Sequence, residues 1–505
     1  MTARAFACGV LGQLLAASLA AHAATYHIAT EAELRSALAA ALPGDVVVIA
    51  PGDYTFTANL ICDRPGAAGA PITVMAEVPG CARLHMDTVE GFKVSAPYWT
   101  FTGLDIEGIC ADHSNCEHAF HVFGDADFFT LRGSRLHDFN AMIKGNGFDY
   151  GAGRVFPDDV LIEGNEFFDA TPRATGNPVT PIDVVGGRRW VVRQNFIHDY
   201  QKKDPLDPTN NVSYAAFLKG NSRNGLFEGN IVACHLDGTD AGGARVGLSF
   251  GGGGSSPDPI CEDGTCTPEH QDGILRDNLI VNCSDVGVYL NEAWNCQVHG
   301  NTLYDTSGID VRFVASVVDL RDNLVSGLIR IRDGGTMTVG SNIDQIGNGP
   351  FQSWFKNPAR YDFALVGDGS SFVDKGEVVA ALAGDFCGGA RDATPDIGAV
   401  EYDADVCDTT AVLPLLVPPP PVPATSPGNS LRVVKAPSQV RLTWTAGSGE
   451  YDNLYRDTDP RATGTTLYAA RLSTVVYDED PVALTAAVYA WRVRAVAPCT
   501  GVEAE

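Results

Sequence analysis

LIEGNEFFD at residues 161–169, VVRQNFIHD at 191–199, LFEGNIVAC at 226–234 and ILRDNLIVN at 274–282 are copies of one phrase. Looser copies follow: QVHGNTLYD at 297–305, DLRDNLVSG at 319–327 and TVGSNIDQI at 338–346. Each is a short apolar run, a two-residue corner ending in asparagine, and a second apolar run. The asparagines are Asn165, Asn195, Asn230, Asn278, Asn301, Asn323 and Asn342, at steps of 30, 35, 48, 23, 22 and 19 residues. A period near the low twenties, stretched by insertions, marks a stack of short structural repeats. No strand of three or four residues buries its apolar face alone, so successive copies must stack on one another. Asparagine tolerates left-handed backbone angles, and its amide hydrogen-bonds identical copies above and below. These asparagines are therefore read as scaffold. The fold class expected is all-β, a right-handed parallel β-helix.

The ends of the chain have other compositions. Arg4 precedes an apolar run over residues 5–20, and Ala21-His22-Ala23 has the small-x-small form of a cleavage site, so residues 1–23 read as a signal peptide. The run is too short to span a membrane, and the expectation is a secreted or periplasmic protein without membrane insertion. Residues 31–41, rich in Ala and Leu after Thr30 as N-cap, form a helix expected to plug the open end of the coil. The coil, residues 24–410 with both caps, is expected to finish near PDIGAVEY at 395–402. A proline-rich linker follows over 411–430, containing PLLVPPPPVPATSPG. Residues 431–505 alternate apolar and polar at VRLTW and YAWRVRAV, as short antiparallel strands of a small β-sandwich do. Trp444 and the late strand resemble a fibronectin type III module.

Of the 13 cysteines, 12 follow residue 23, and four pairs are close in sequence: Cys62 and Cys81, Cys110 and Cys116, Cys261 and Cys266, Cys387 and Cys407. In an exported protein such pairs staple loops. Cys110, His113, Cys116, His118 and His121 could also hold zinc, but two cysteines six apart in an exported loop favour a disulfide. The formal charge is −27, from 62 acidic and 35 basic residues. With no basic run or basic helix, this balance argues against nucleic acid and anionic membranes as partners. A polyanionic ligand would need a local patch of Lys and Arg.

The segments ATEAELRSALAAALPGDVVVIAPGDYT (29–55), GAPITVMAEVPG (69–80) and WTFTGLDIEG (99–108) together resemble the start of polysaccharide lyase family 6, the family of chondroitinase B and alginate lyases. The resemblance implies cleavage of an acidic, uronate-containing polysaccharide by β-elimination, with a Lys on one coil and an Arg on the next; a monomer is expected. The matching residues are Lys219, in AAFLKGNSRNGLFEGN, and Arg245, in GGARVGLSFGGGG. They are 26 residues apart, about one coil, and so are expected side by side. A lysine serves as base when burial or a nearby cation lowers its pKa; arginine stays charged and binds carboxylates. Lys144, in the similar phrase MIKGNG, and Arg312, eleven residues before its asparagine as Lys219 is, extend this into a basic stripe for substrate. His270, in PEHQDG, and Glu292, in YLNEAW beside Trp294, are further substrate-binding candidates. Calcium is the cofactor the resemblance implies. The positions seven and five residues before Lys219 are Val212 and Tyr214, which cannot ligate it, leaving Asp204, Asp207, Asn210, Asp237 and Asp240 on nearby loops. Two alternatives stay open: a glycoside hydrolase using a carboxylate pair from Asp237, Asp240, Asp272 and Asp310, and a non-catalytic carbohydrate-binding or adhesion protein.

Overall fold

The computed structural model describes residues 23–237, 240–402, 407–411, 431–435, 440–444, 451–457, 467–472, 476–479 and 490–496. The signal-peptide reading, apart from Ala23, and the linker beyond residue 411 lie outside the described residues.

The repeated phrase is two strands and the corner between them. Leu161–Glu163 and Glu166–Phe168 belong to different sheets, and Gly164-Asn165 turns the chain from one to the other. A third strand closes each coil, such as Ile182–Val185 or Val212–Lys219. Stacking the coils yields three sheets, of 14, 10 and 10 strands, with parallel pairing between the coils. The chain is a parallel β-helix. Alternate side chains point inward, and the interior is filled by residues such as Phe92, Phe101, Phe120, Ile162, Val192, Phe227 and Leu275.

The asparagines form one continuous amide ladder. Asn165 donates both its backbone N–H and its side-chain Nδ2 to Asn195 Oδ1, each at 3.0 Å. Asn195 does the same to Asn230, Asn230 to Asn278, Asn278 to Asn301, Asn301 to Asn323 and Asn323 to Asn342. Ser134 stands at the head, its N–H on Asn165 Oδ1. One part of the expectation changes: the left-handed residue of the corner is the one before the asparagine. Gly164, Gln194, Gly229, Asp277, Gly300 and Asp322 have φ between 54° and 64°. The glycine of the Gly-Asn phrase supplies the turn, and the asparagine satisfies the buried amides.

The helix Glu31–Ala40 closes the first coil, burying Leu34, Ala37 and Leu38. Glu33 N–H donates to Thr30 Oγ1 (3.3 Å) and Glu33 Oε2 accepts from Ala29 N–H (2.9 Å), a reciprocal cap at the helix start. At the other end the coils stop earlier than expected, with the strand Thr336–Val339. Residues 343–402 then run back as a strap over the outer face of the second sheet. The reason lies in strands such as Ile231–Ala233 and Leu279–Val281, which are apolar on both faces. Phe351, Phe355, Phe363, Phe372, Ile397 and Val400 bury Phe196, Ile231, Leu279 and Tyr304. Arg391 of the strap, itself buried, ion-pairs with Asp277 at 2.9 Å.

Cys110–Cys116, Cys261–Cys266 and Cys387–Cys407 are disulfides as expected, and Cys234 pairs with Cys283. Cys62 is instead a buried thiol in the coil interior, so it is not joined to Cys81. The histidines of the alternative zinc reading lose their two thiolate partners to the Cys110–Cys116 bridge. The described C-terminal residues form two three-stranded antiparallel sheets, one from Arg432–Lys435, Val440–Thr443 and Val476–Glu479 and one from Leu467–Leu472, Tyr451–Asp457 and Ala490–Val496.

Where the strap does not cover it, the second sheet carries charge on its outer face. His137 lies between Asp105 (3.4 Å) and Asp138 (2.8 Å). Burial works against its charged form, but the two carboxylates win and lift its pKa to about 9. An imidazole has a pKa of about 6.5 in the unfolded chain. The stabilisation is therefore fully present below that value and is lost as pH rises through 9. The expected contribution is about 3 kcal/mol. Denaturant titrations of wild type and His137→Asn at pH 6 and pH 10 should show the wild-type advantage at the lower pH and its disappearance at the higher. An equal gap at both would contradict the assignment.

Candidate functional site

The outer face of the third sheet carries a polar cluster, and the strand register determines its membership. One row reads Lys93, His121, Lys144, Asp183, Phe217, Ser249, Tyr289, Asp310 and Arg330 along successive coils. Two residues further along each strand, on the same face, a second row begins Phe123, Asn146, Val185 and Lys219. The phrases MIKGN and FLKGN thus lie two residues out of register: Lys144 aligns through Asp183 with Phe217, and Lys219 aligns through Val185 with Asn146.

Lys144 Nζ sits 2.8 Å from Asp183 Oδ1. Burial raises the Asp183 pKa, but Lys144 and then Lys219 outweigh it and hold the carboxyl below its usual range. Lys219 Nζ donates to the Gly254 carbonyl (3.0 Å) and lies 4.5 Å from the Phe217 ring centre. Among the described residues no carboxylate comes within 4.0 Å of it. Its pKa is lowered: burial is the main cause, Lys144 adds to it, and Asp183 and Glu269 oppose. Glu269 is buried and accepts from Gly220 N–H (2.7 Å) and the Ser255 hydroxyl (2.8 Å), which fastens the 251–269 loop behind Lys219.

Further down the sheet, Glu90 bonds His121 Nδ1 (2.6 Å) and Lys93 Nζ (2.6 Å). The His121 hydrogen bond is the main reason that its pKa falls to about 2, with Lys93 contributing. His121 Nε2 reaches Asn146 Oδ1 at 2.7 Å. Beside it His118 is kept neutral, with a pKa near 4, by burial and by the charges of Lys144 and His121.

The other expected site residues are placed differently. Arg245 is on the third sheet but opposite Ser213, six residues before Lys219 on the neighbouring strand, or about 20 Å along it. The two are not side by side, because this coil is 32 residues long rather than 26, as the pair Val212 and Ala244 shows. Arg245 is buried and ion-paired to Asp240 at 2.8 Å. Arg312 does belong to the Lys219 row, through Asn291, and the Gly251 coil lies between; its guanidinium holds Asp333 (2.5 Å) and the Tyr289 hydroxyl (3.0 Å). His270 is not a surface histidine. It is fully buried, stacks on Phe250 at 4.2 Å, bonds Ser222 at 2.7 Å, and burial drives its pKa to about 3. Its short strand, His270–Gln271, faces the coil interior and so removes it from any surface site. Glu292 stands at a corner and accepts from Thr267 Oγ1 at 3.1 Å; Trp294 is exposed.

Among the described residues, the carboxylates expected to hold calcium form no cluster of three ligands. Asp204 accepts from the Leu206 and Asp207 amides, Asp207 from Thr209, Asp237 binds Arg360 and Asp240 binds Arg245, so each is engaged by its own partner. Asp183, the carboxylate nearest Lys219 in the rows, is held by Lys144. The carboxylates of the hydrolase alternative are scattered in the same way: Asp310 is locked by Arg330 and Arg332, and Asp272 by Asn295.

Comparison with known proteins assigns no family. No family model and no curated protein matches the chain. Among solved structures, the chain is similar to the pectate lyase Pel9A, at 15% identity over 73% of this chain and 90% of that one, with a TM-score of 0.47. It is also similar to a rhamnogalacturonan lyase, at 14% identity, 77% and 99% coverage and a TM-score of 0.43. An alginate lyase from Paenibacillus shares 14% identity over 63% and 99%, with a TM-score of 0.32. At these values the likeness carries no argument; the fold rests on the strand pairing and the case for function on the residues of the third sheet.

Proposed function

We propose that the chain is an exported lyase that cleaves a uronate-containing polysaccharide by β-elimination on the third-sheet face. The observation that carries this reading is Lys219, a desolvated lysine with no carboxylate against it, next to a second lysine fixed by Asp183. Disulfides such as Cys110–Cys116, Cys234–Cys283, Cys261–Cys266 and Cys387–Cys407 support export, and among the described residues no helix is long and apolar enough to cross a membrane.

In the proposed reaction the neutral Lys219 amine takes the proton on C5, beside the uronate carboxylate. The electron pair moves into the carboxylate as an enolate, whose charge the Lys144 ammonium stabilises. The pair then returns to form the C4–C5 double bond as the C4–O bond breaks. The departing oxygen receives its proton from the Lys219 ammonium, which restores the amine. Asp183 orients Lys144 and remains ionised. This assigns to Lys144 the role that the sequence reading gave to Arg245.

The test is the ultraviolet absorbance of the unsaturated product, followed with purified protein on alginate, pectate, chondroitin and dermatan, each with calcium and with EDTA. A rise on a polyuronate that EDTA leaves intact is the expected result. New reducing ends without absorbance would point to hydrolysis, and binding without either would point to an adhesion role.

A further inference from the structure

Directly after Asn146, at the edge of the third-sheet face, the chain makes a short hairpin from Phe148–Asp149 and Arg154–Val155. Its aromatic side chains are turned outward: Phe148 is 45% exposed and Tyr150 51%. They continue a row that starts inside the cluster. The His121 ring lies 4.5 Å from Phe123, Phe123 is edge-on to Phe148 at 5.6 Å, and Phe148 is edge-on to Tyr150 at 4.9 Å. The hairpin is held in place. Arg154 donates to the Gly147 carbonyl (2.8 Å) and to the Pro259 carbonyl (3.2 Å). A β-carbon at Gly147 or Gly186 would collide with Phe156, which packs beneath the hairpin.

Exposed aromatic rings fixed in one arrangement have a hydration cost that folding alone does not recover, and such patches mark binding surfaces. The chemistry around them indicates the occupant. The negative π-face of an aromatic ring suits the C–H face of a pyranose. Polar groups able to meet sugar hydroxyls and a carboxylate stand alongside: Asn146, bonded to His121, and Lys93, whose ammonium is 5.6 Å from the Phe123 ring. Phe123 and Lys219 are in the same register row with Asn146 and Val185 between them, hence about 14 Å apart. That separation suits an oligosaccharide, not one ring. We propose that Phe123, Phe148 and Tyr150 form a pyranose-stacking platform, a subsite that holds an oligouronate chain whose cleaved unit lies at Lys219. The inference rests on the polysaccharide reading of this face.

Affinity electrophoresis tests it with the full chain carrying Lys219→Ala, which prevents digestion of alginate, pectate or chondroitin cast in the gel. The parent should be retarded by at least one of these polymers, and adding Phe148→Ala and Tyr150→Ala should weaken the apparent affinity about tenfold. Phe148→Tyr with Tyr150→Phe should retain it. Both alanine sites are exposed, so far-UV circular dichroism and the melting temperature should not change. Equal retardation of parent and double-alanine variant overturns the platform, as does a parent that no polyuronate retards. Retardation lost with the two rings, in a protein whose wild type forms no unsaturated product, would keep the platform and reject the lyase chemistry.

Discussion

Lys219→Ala is expected to lower kcat/KM for polyuronate elimination by about 10²–10⁴-fold, the usual effect of losing a positioned proton-transfer group. Folding should be unaffected, because the side chain contributes one hydrogen bond to a loop carbonyl and a partly buried stem. Lys219→Arg should be as inactive: it retains the charge, but a guanidinium does not give up its proton at working pH. The pH profile separates a base from a merely structural lysine. Activity should rise with pH through the depressed Lys219 pKa and then level off. Asp183→Asn removes a negative charge that raises the pKa of Lys219, so the rising limb should move to lower pH even as the rate falls through loss of the Lys144 anchor. A limb that stays in place would mean that Lys219 is not the titrating group. Retention of most activity by Lys219→Ala would remove it from the chemistry altogether.

Asn230→Ala is expected to be the most destabilising single substitution among the ladder positions, at about 3–5 kcal/mol. Asn230 is fully buried at the middle of the ladder. Its Oδ1 accepts from the Asn195 backbone N–H and Nδ2, both at 3.1 Å, and its Nδ2 donates to the Val192 carbonyl and to Asn278 Oδ1, both at 2.9 Å. Truncation leaves several of these groups without partners in a dry interior, at about 1–3 kcal/mol each. No side-chain rearrangement within one coil replaces them, because the partners belong to the coils above and below. Asn230→Asp, nearly isosteric, should be little better, since a second oxygen would face Asn278 Oδ1 where a donor is required. The midpoint of guanidinium unfolding, measured with the disulfides intact, checks both. A loss under about 1 kcal/mol would mean that the ladder follows the coil without holding it.

The coil was legible because its rule is written into consecutive residues. Strand, corner and strand recur as one phrase, and the asparagine must be there for every copy to satisfy its neighbours. The site is not written that way. Lys93, His121, Lys144 and Asp183 form one row, yet they come from GFKV, AFHVF, MIKGN and IDVV, which share no phrase and are separated by loops of unequal length. Taking a direct residue spacing for one coil misplaces third-sheet residues for that reason, whereas Arg312, counted from its asparagine, does fall in the Lys219 row. Lys219 and Arg245 were paired by a count of 26 residues, whereas the register depends on the longer loop between them. Aligning the third strands by their inward apolar residues, Phe92 with Phe120 and Ile143 with Ile182, would have put His121, Lys144 and Asp183 together. His270 misled for another reason. Its neighbours read as a surface loop, but a short strand turns its ring into the core beside Phe250.

The strap over the second sheet has a consequence for how the molecule comes apart. A bare solenoid frays, since each repeat touches only its neighbours and the ends open independently. Here residues 343–402 bind back across coils that carry Phe196, Ile231, Leu279 and Tyr304, and Arg391 fixes the crossing at Asp277. The last part of the coil domain to be synthesised thus ties together rungs made much earlier. Inserting or deleting a whole coil, harmless in an open stack, would displace these anchors by about 5 Å per rung and leave the strap out of step. The number of coils from Phe196 onward is matched to the length of this clasp, and that part of the domain should melt as a unit and not from its C-terminal end.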